Sequence, residues 1–156
     1  MQLPVLPADP KVPGVTPLPG KAPDLTNEER TAIARDLANA IEGDVRFDVH
    51  TRMLYATDAS LYQVEPLGVV IPKDVDDAVR AATFCLEKRL PVLPRGGGTS
   101  LAGQCTNRAV IIDVSPGCRR IAEHDRAGKR VRIEPGITVD DLNDELAKLM
   151  PASNDA

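Results

Sequence analysis

The first segment of the chain with a folding pattern has apolar residues at helical spacing. Thr26 followed by Glu29 forms a capping box, in which each side chain bonds the other residue's backbone at a helix start. Gly43 stands where the helix is expected to end. The apolar residues on its inner face are Ile33, Leu37 and Ile41. We predict a helix with a charged outer face that docks outside the main sheet.

Beyond residue 66 the pattern changes to short apolar runs that alternate with a helical segment. The runs cover residues 68–71, 91–94 and 110–114, and Asp74 can cap a helix between the first two. The predicted buried stripe of that helix consists of Val75, Ala78, Val79, Ala82 and Leu86. Strand, helix and strand then form a right-handed βαβ unit with parallel strands. The third run predicts a strand that is buried on both faces.

The last predicted elements are a strand and a helix. The strand lies near residues 130–133, a turn follows at Pro135 and Gly136, and Thr138 can cap the helix. The helix's predicted buried stripe consists of Val139, Leu142, Leu146 and Leu149. His124 falls in a predicted polar turn before the strand and is assigned no role.

These patterns divide the chain into three parts. Residues 1–23 hold seven of the 14 prolines, which predicts a disordered, proline-rich tail. Residues 24–65 contain the first helix and an irregular lead-in, with a short strand near residues 45–47. Residues 66–156 carry the βαβ pattern and form the main folded domain.

Composition and charge exclude several classes of protein. A chain of 156 residues fits one domain, and its net charge of −4 gives no support for nucleic-acid binding. No apolar run approaches the roughly 20 residues of a membrane span, and the start of the chain lacks the pattern of a secretory signal. The three cysteines form no C-x-x-C pair, which favours free thiols in the cytoplasm over disulfides or a metal site.

The segment that points most directly to chemistry is the glycine loop in PVLPRGGGTSLAGQ, residues 91–104. Three successive glycines remove every Cβ from a short stretch of backbone, so that its N–H groups can converge on an anion such as phosphate. An arginine before them and two hydroxyls after them add charge and further donors. These residues are Arg95, Gly96, Gly97, Gly98, Thr99 and Ser100. The alternative is a flexible turn with no ligand.

The glycine loop differs from the two common phosphate loops. A P-loop needs Lys and Ser or Thr after its second glycine, whereas Gln104 and Cys105 follow Gly103 here. The dinucleotide fingerprint needs a glycine at the position of Leu101. The sequence therefore supports neither triphosphate hydrolysis nor that mode of dinucleotide binding.

Residues 69–115, VVIPKDVDDAVRAATFCLEKRLPVLPRGGGTSLAGQCTNRAVIIDVS, resemble the start of the FAD-binding domain of the FAD-linked oxidases. This is the family of vanillyl-alcohol oxidase and p-cresol methylhydroxylase, and the nearest branch holds D-lactate and glycolate dehydrogenases. The later PGIT turn and its leucine-spaced helix fit the same pattern. Residues 52–66, RMLYATDASLYQVEP, resemble the lead-in of large members that also carry an iron–sulfur region.

The resemblance implies an α+β fold, the first subdomain of a p-cresol-methylhydroxylase-type FAD-binding domain, with βαβ units and a small, mostly parallel sheet. It places the FAD pyrophosphate on the glycine loop, held chiefly by backbone N–H groups. The loop has no histidine, so we expect FAD to be bound non-covalently. For Gly136, which the family places near the flavin, the alternative is a turn that needs glycine for geometry alone. The implied cofactor-binding residues are Pro94, Arg95, Gly96, Gly97, Gly98, Thr99, Ser100, Leu101, Gly103, Gln104 and Gly136.

The resemblance also implies a reaction, the transfer of a hydride from the carbinol carbon of a 2-hydroxy acid to FAD. Relatives continue beyond the last residue of this chain into a second glycine-rich segment and a substrate-binding cap domain. We therefore expect an amino-terminal fragment, truncated at its C-terminus and inactive alone. Neither His50 nor His124 matches a catalytic motif of the family, so no catalytic residue is assigned. The alternative is a stand-alone nucleotide- or anion-binding module without redox activity.

Overall fold

The computed structural model describes residues 23–149, which form four helices and six short strands. The helices are α1 (Asn27–Ala40), α2 (Val49–Leu54), α3 (Val75–Glu87) and α4 (Val139–Leu149). The strands are β1 (Asp44–Arg46), β2 (Gly68–Ile71), β3 (Val92–Arg95), β4 (Val110–Asp113), β5 (Ile121–Asp125) and β6 (Arg130–Ile133). The predicted strands are confirmed to within one residue at each end. The predicted proline-rich tail, residues 1–23, lies outside the described residues except for Pro23.

The main sheet has the strand order β1, β2, β4, β3. β2 and β3 both run parallel to β4, and β1 runs antiparallel to β2. This confirms the small, mostly parallel sheet, although β4 lies between the two strands of the predicted βαβ unit. All four residues of β4 are buried, as expected for a strand with a neighbour on each side. The carboxyl ends of β2, β4 and β3 therefore lie along one edge of the sheet.

The first helix belongs to the core of the domain. Leu37 of α1 is fully buried in one cluster with Ala81 and Cys85 of α3 and with Val70 and Val110 of the sheet. The prediction that this helix docks outside the main sheet is therefore wrong. The prediction was based on the charged outer face of the helix. The apolar inner face packs into the core, as in other amphipathic helices.

The two ends of α1 differ in how well the sequence predicted them. The capping box is present, since the Thr26 N–H donates to the Glu29 carboxylate at 2.8 Å and the Glu29 N–H donates to the Thr26 hydroxyl at 3.2 Å. The helix ends at Ala40, so Gly43 does not end it. The Gly43 N–H donates instead to the buried Asp77 carboxylate at 2.8 Å.

The buried face of α3 is rotated from the predicted stripe. Val79 and Leu86 are 59% and 60% exposed, whereas Ala81 and Cys85 are fully buried. Both sets have helical spacing, but the small side chains of Ala81 and Cys85 let the helix pack closely on the sheet. Burial raises the pKa of the Cys85 thiol to about 11, so this thiol stays protonated at neutral pH.

The last part of the described chain forms a separate hairpin and helix. β5 and β6 pair in an antiparallel two-stranded sheet. His124 lies in β5 opposite Val131, not in the turn that was predicted. Within the described residues no residue of α4 is buried, and Val139 and Leu149 are 72% and 53% exposed. The predicted buried stripe is therefore wrong at its two ends, whereas Leu142 and Leu146 are half-buried, and Leu146 lies beside residues of the β5–β6 hairpin.

The lead-in before residue 66 is more ordered than its sequence suggested. It contains the unpredicted helix α2, whose N-cap residue Asp48 accepts a hydrogen bond from the Thr51 N–H at 2.8 Å. β1 of the lead-in is the edge strand of the main sheet. Over residues 23–149 no helix combines the length and apolar character that crossing a membrane requires.

Candidate functional site

The glycine loop, residues 96–104, leaves the carboxyl end of β3, and the chain then reaches β4 at Val110. In open parallel sheets this edge is where ligands usually bind. The loop's backbone shows which of its glycines the fold itself requires. Gly98 and Gly103 have φ angles of +66° and +79°, which other residues adopt only at a cost. A Cβ on Gly98 would lie 2.5 Å from the Arg95 guanidinium, and one on Gly103 would lie 2.6 Å from the Tyr62 ring.

Gly96 and Gly97 are different, because nothing in the described chain requires them to be glycine. Neither has a positive φ angle. A Cβ on Gly96 would meet no atom within 4 Å, and one on Gly97 would meet only the Thr99 Cγ2 atom at 3.6 Å. The two missing side chains leave open space in front of the loop backbone. This is the geometry of a cradle that a ligand approaches closely.

The backbone donors of the loop are unused. In the part of the chain that the structure describes, no N–H group from residue 96 to residue 101 donates a hydrogen bond to another residue. The first loop donor with a partner is the Ala102 N–H, which bonds the Ser100 hydroxyl at 3.2 Å. Successive free N–H groups in a glycine-rich turn form an anion-binding concavity. The loop therefore offers six consecutive donors to an oxyanion.

Arg95 holds the loop in place through hydrogen bonds to backbone carbonyls. Its Nη1 atom donates to the carbonyl oxygens of Tyr55, Thr57 and Cys105 at 3.3, 2.9 and 3.1 Å. The guanidinium also lies over the Tyr55 ring, 5.1 Å from the centroid. These contacts tie the lead-in to both ends of the loop. The charge of Arg95 remains close to the loop, since a Cβ on Gly98 would touch the same guanidinium.

A second set of hydrogen bonds joins the lead-in to the carboxyl end of β4. The Tyr55 hydroxyl donates to Asp113 Oδ2 at 2.7 Å, and Asp113 Oδ1 accepts from the Ser115 N–H at 3.0 Å and from its hydroxyl at 2.7 Å. Burial, together with this hydrogen bond to Asp113, raises the pKa of Tyr55 to about 12. Asp113 lies opposite Arg95 in the β3–β4 register. These hydrogen bonds and the β3–β4 pairing hold the residue at which the loop begins, Arg95, in place.

The raised pKa of Tyr55 predicts a loss of stability in alkali. The folded pKa of about 12 lies above the ordinary tyrosine value of 10.0, so the contribution is fully present below pH 10 and is lost as the pH rises toward 12. We expect the urea midpoint of the native chain to fall more steeply over this range than that of Tyr55→Phe. Tyr55→Phe should be less stable at pH 7 by about 1 kcal/mol. Parallel curves for the two proteins between pH 10 and 12 would contradict the prediction.

The remaining predicted site residues lie in or beside the loop. The Ser100 hydroxyl donates to the Gln104 side-chain oxygen and accepts from the Gln104 N–H at 3.2 Å, so it stabilises the loop itself. Thr99 is exposed and makes no side-chain hydrogen bond within residues 23–149. Leu101 is 83% exposed, and Pro94 is an exposed residue of β3.

Gly136 is held by the backbone of another segment. Its N–H donates to the Cys118 carbonyl at 2.7 Å. A Cβ there would lie 2.1 Å from the Val114 carbonyl oxygen, so the close approach of the two backbones is sufficient reason for glycine. The turn packs on the segment that follows β4. Its Gly136 N–H is already bonded to the Cys118 carbonyl.

Sequence reasoning missed the residues that position the loop. Besides Tyr55 and Asp113, Asp58 accepts the Cys105 N–H at 3.2 Å and the Ser60 N–H at 2.9 Å. These residues lie in the lead-in and in β4, more than 30 residues from some of their partners, and no local spacing connects them. The similarity of residues 52–66 to family lead-ins was the one available signal.

Comparison with known proteins supplies the family. The sequence profile described as FAD binding domain matches residues 66–153. The chain belongs to this family of FAD-binding domains. The match begins just before β2 and includes the whole glycine loop. The predicted cofactor of the family, FAD, is thereby confirmed at the level of the family.

Relatives with sequence similarity include enzymes that are named for 2-hydroxy acids. The chain is 36% identical over 108 residues to D-2-hydroxyglutarate dehydrogenase of Pseudomonas putida, covering 67% of the chain and 11% of that protein. It is 31% identical over 106 residues to a glycolate oxidase subunit of Bacillus subtilis, covering 65% of the chain and 23% of that protein. The chain therefore spans only about a tenth to a quarter of the length of these relatives.

Solved structures confirm the fold. The chain superposes on p-cresol methylhydroxylase with a TM-score of 0.66 at 16% identity, covering 80% of the chain and 26% of that structure. Alkyldihydroxyacetonephosphate synthase gives a TM-score of 0.66 at 20% identity, covering 85% and 26%. At this identity the similarity concerns the fold alone, and it agrees with the predicted first part of a p-cresol-methylhydroxylase-type domain.

Proposed function

We propose that the glycine loop binds the pyrophosphate of FAD through the N–H groups of residues 96–101. The observation that carries the proposal is the openness at Gly96 and Gly97, where a Cβ would meet no atom of residues 23–149 closer than 3.6 Å, beside N–H groups that have no partner there. A ligand that approaches the backbone closely supplies the reason for glycine that the fold does not.

The charge and chemistry of the loop fit this ligand. A pyrophosphate carries oxygens that accept hydrogen bonds from several successive N–H groups, as in other glycine-rich phosphate sites. The nearby Arg95 guanidinium contributes favourable charge while its Nη1 atom holds the loop's ends. The Thr99 hydroxyl is exposed and available as a further donor.

The bound FAD is held non-covalently in this proposal. The loop residues 96–104 contain neither histidine nor cysteine. The nearest thiol, Cys105, is half-buried, and its N–H is bonded to Asp58. The loop therefore offers neither a histidine nor a cysteine for attachment to the flavin.

We further propose that the protein to which this domain belongs oxidises a 2-hydroxy acid. When bound, FAD supplies the acceptor for a hydride from the substrate carbinol carbon. The residues of this chain bind and orient the cofactor at the carboxyl edge of the sheet. The support for the substrate class is the naming of the relatives for D-2-hydroxyglutarate and glycolate. An iron–sulfur region elsewhere in the protein, a cytoplasmic location and the inactivity of this chain alone stay predictions.

Calorimetric competition tests whether the chain binds FAD through its pyrophosphate. It also distinguishes an FAD-binding domain from a nucleotide-binding module without redox activity. FAD is titrated into the chain alone, then in the presence of ADP, which carries a pyrophosphate, or riboflavin, which carries no phosphate. We expect ADP to displace FAD, riboflavin to compete weakly, and FAD to bind about tenfold or more tightly than ADP. Equal affinity for FAD and ADP would favour the nucleotide-binding module. Displacement by riboflavin but not ADP would exclude the pyrophosphate cradle.

A further inference from the structure

A second cluster of cationic side chains lies at the amino ends of β2 and β4, the edge of the sheet opposite the glycine loop. Arg30 of α1, Arg52 of α2 and Arg108, which precedes β4, line a cleft of about 290 Å³ together with Glu65 and Leu67. Leu67 and Arg108 come just before two parallel strands, whereas the glycine loop leaves the carboxyl end of β3. The cleft is therefore separate from the proposed FAD cradle.

The guanidinium groups of this arginine cleft are only partly paired. Arg52 Nη1 contacts the Glu65 carboxylate at 2.8 Å, and Arg108 pairs with Asp24. Arg30 donates from Nη1 to the Leu67 carbonyl at 2.6 Å. Arg30 forms no ion pair with a carboxylate among the described residues, so the cleft is lined by three guanidinium groups and one carboxylate, Glu65.

Two buried donors in the cleft have no acceptor. The Nε atoms of Arg30 and Arg52 are both buried, and neither has a hydrogen-bond partner within residues 23–149. Arg52 as a whole is only 8% exposed. A buried guanidinium donor without an acceptor is costly, since its desolvation is not offset by a hydrogen bond. Burial lowers the pKa of Arg30, and the charges of Arg52 and Arg108 lower it further, while the Glu65 carboxylate opposes part of this shift.

We propose that the arginine cleft binds a small oxyanion, a phosphate or carboxylate group. Guanidinium groups bind both in a fork of paired hydrogen bonds, and an anion would balance a lining that holds three arginines and a single carboxylate. The volume lies at the lower limit of typical ligand pockets, which fits a compact anion better than a whole dinucleotide. The lining is polar, with the apolar contribution limited to Pro66 and Leu67.

Isothermal titration of inorganic phosphate into the full chain tests this proposal. The test variant is Arg108→Gln and the control is Arg119→Gln, because both arginines have side chains that are 46% exposed and each pairs with an aspartate. We expect one saturable site in the native chain and in the control, and binding about tenfold or more weaker in Arg108→Gln. Acetate titrated in parallel distinguishes the sources: tighter phosphate indicates a phosphate-bearing ligand, and equal binding indicates a carboxylate.

The glycine loop could also bind phosphate, so Gly97→Asp is titrated as well. The proposal predicts that this variant binds phosphate like the native chain. Loss of phosphate binding in Gly97→Asp with full binding in Arg108→Gln would assign the anion to the loop and overturn the arginine cleft. Absence of saturable binding in the native chain would overturn it directly. The FAD proposal is tested by ADP competition and the arginine cleft by phosphate titration of Arg108→Gln. Either proposal can therefore be overturned without the other.

Discussion

Replacing Asp77 with alanine should lower the free energy of unfolding by about 3–5 kcal/mol, enough to unfold a domain of ordinary stability. The Asp77 side chain is fully buried and accepts the N–H groups of Glu42, Gly43 and Lys73 at 2.9, 2.8 and 3.0 Å. Arg80 adds a charged donor at 2.8 Å. Alanine would leave these donors without their acceptor and separate the α1–β1 turn from the start of α3.

The contribution of Asp77 to stability should also depend on pH. Burial on its own raises the pKa of Asp77, but the hydrogen bonds from Lys73, Glu42 and Gly43 outweigh it, so that the folded pKa is lowered. A lowered folded pKa contributes stability above the unfolded value of about 3.9, and that stability is lost as the pH falls through the folded pKa. Urea unfolding of the native chain at pH 7 and at lower pH measures this loss.

Asp76→Ala is the matched control for Asp77→Ala. Asp76 is the preceding residue in the first turn of α3 and is exposed. Its replacement should change the unfolding free energy by no more than about 0.5 kcal/mol. Similar urea midpoints for the two variants would show that the buried acceptor does not hold the turn and the helix together.

Asp77 also marks the limit of what the sequence could predict about the fold. The N-cap at Asp74 followed from the sequence and is present, and it accepts a hydrogen bond from the Asp77 N–H three residues further on. The three backbone partners of the Asp77 carboxylate could not be predicted, because two of them lie more than 30 residues away in the turn after α1. Likewise the apolar run of β4 predicted a doubly buried strand, but no local pattern tells that it lies between β2 and β3.

The sequence also predicted only part of the candidate site. The three glycines and the family wording of the loop predicted an anion site, and the loop does present free N–H groups. Which glycine serves the fold and which leaves room for a ligand depends on φ angles and distant neighbours, such as Tyr62 beside Gly103. The contacts of Arg95 with the lead-in also required the tertiary structure, because its partners come from residues 55–57 and 105.

Gly97→Asp should abolish FAD binding while leaving the domain folded. A Cβ at residue 97 meets only the Thr99 methyl group among the described residues, at an ordinary 3.6 Å, so we expect the fold to accept a side chain there. A carboxylate there would occupy the space in front of the free N–H groups and repel the pyrophosphate. Like charges placed together at a binding site cost several kcal/mol, so affinity should fall by about 100-fold or more.

The matched control for this variant is Asn107→Asp, which adds the same charge at an exposed position. Asn107 lies at the far end of the loop, and its side-chain oxygen already accepts the Arg108 N–H at 2.8 Å. Aspartate keeps that acceptor. Asn107→Asp should therefore retain FAD affinity within about a factor of two or three, as long-range charge effects are screened at physiological salt.

The most direct measurement is the titration of FAD into the native chain, Gly97→Asp and Asn107→Asp, followed by flavin fluorescence at constant ionic strength. Circular dichroism of each protein checks that all three are folded. The proposed cradle predicts saturable binding to the native chain and to Asn107→Asp, and none to Gly97→Asp over the same concentrations. Equal binding by all three folded proteins, or no binding by the native chain, would contradict the assignment of FAD to the glycine loop.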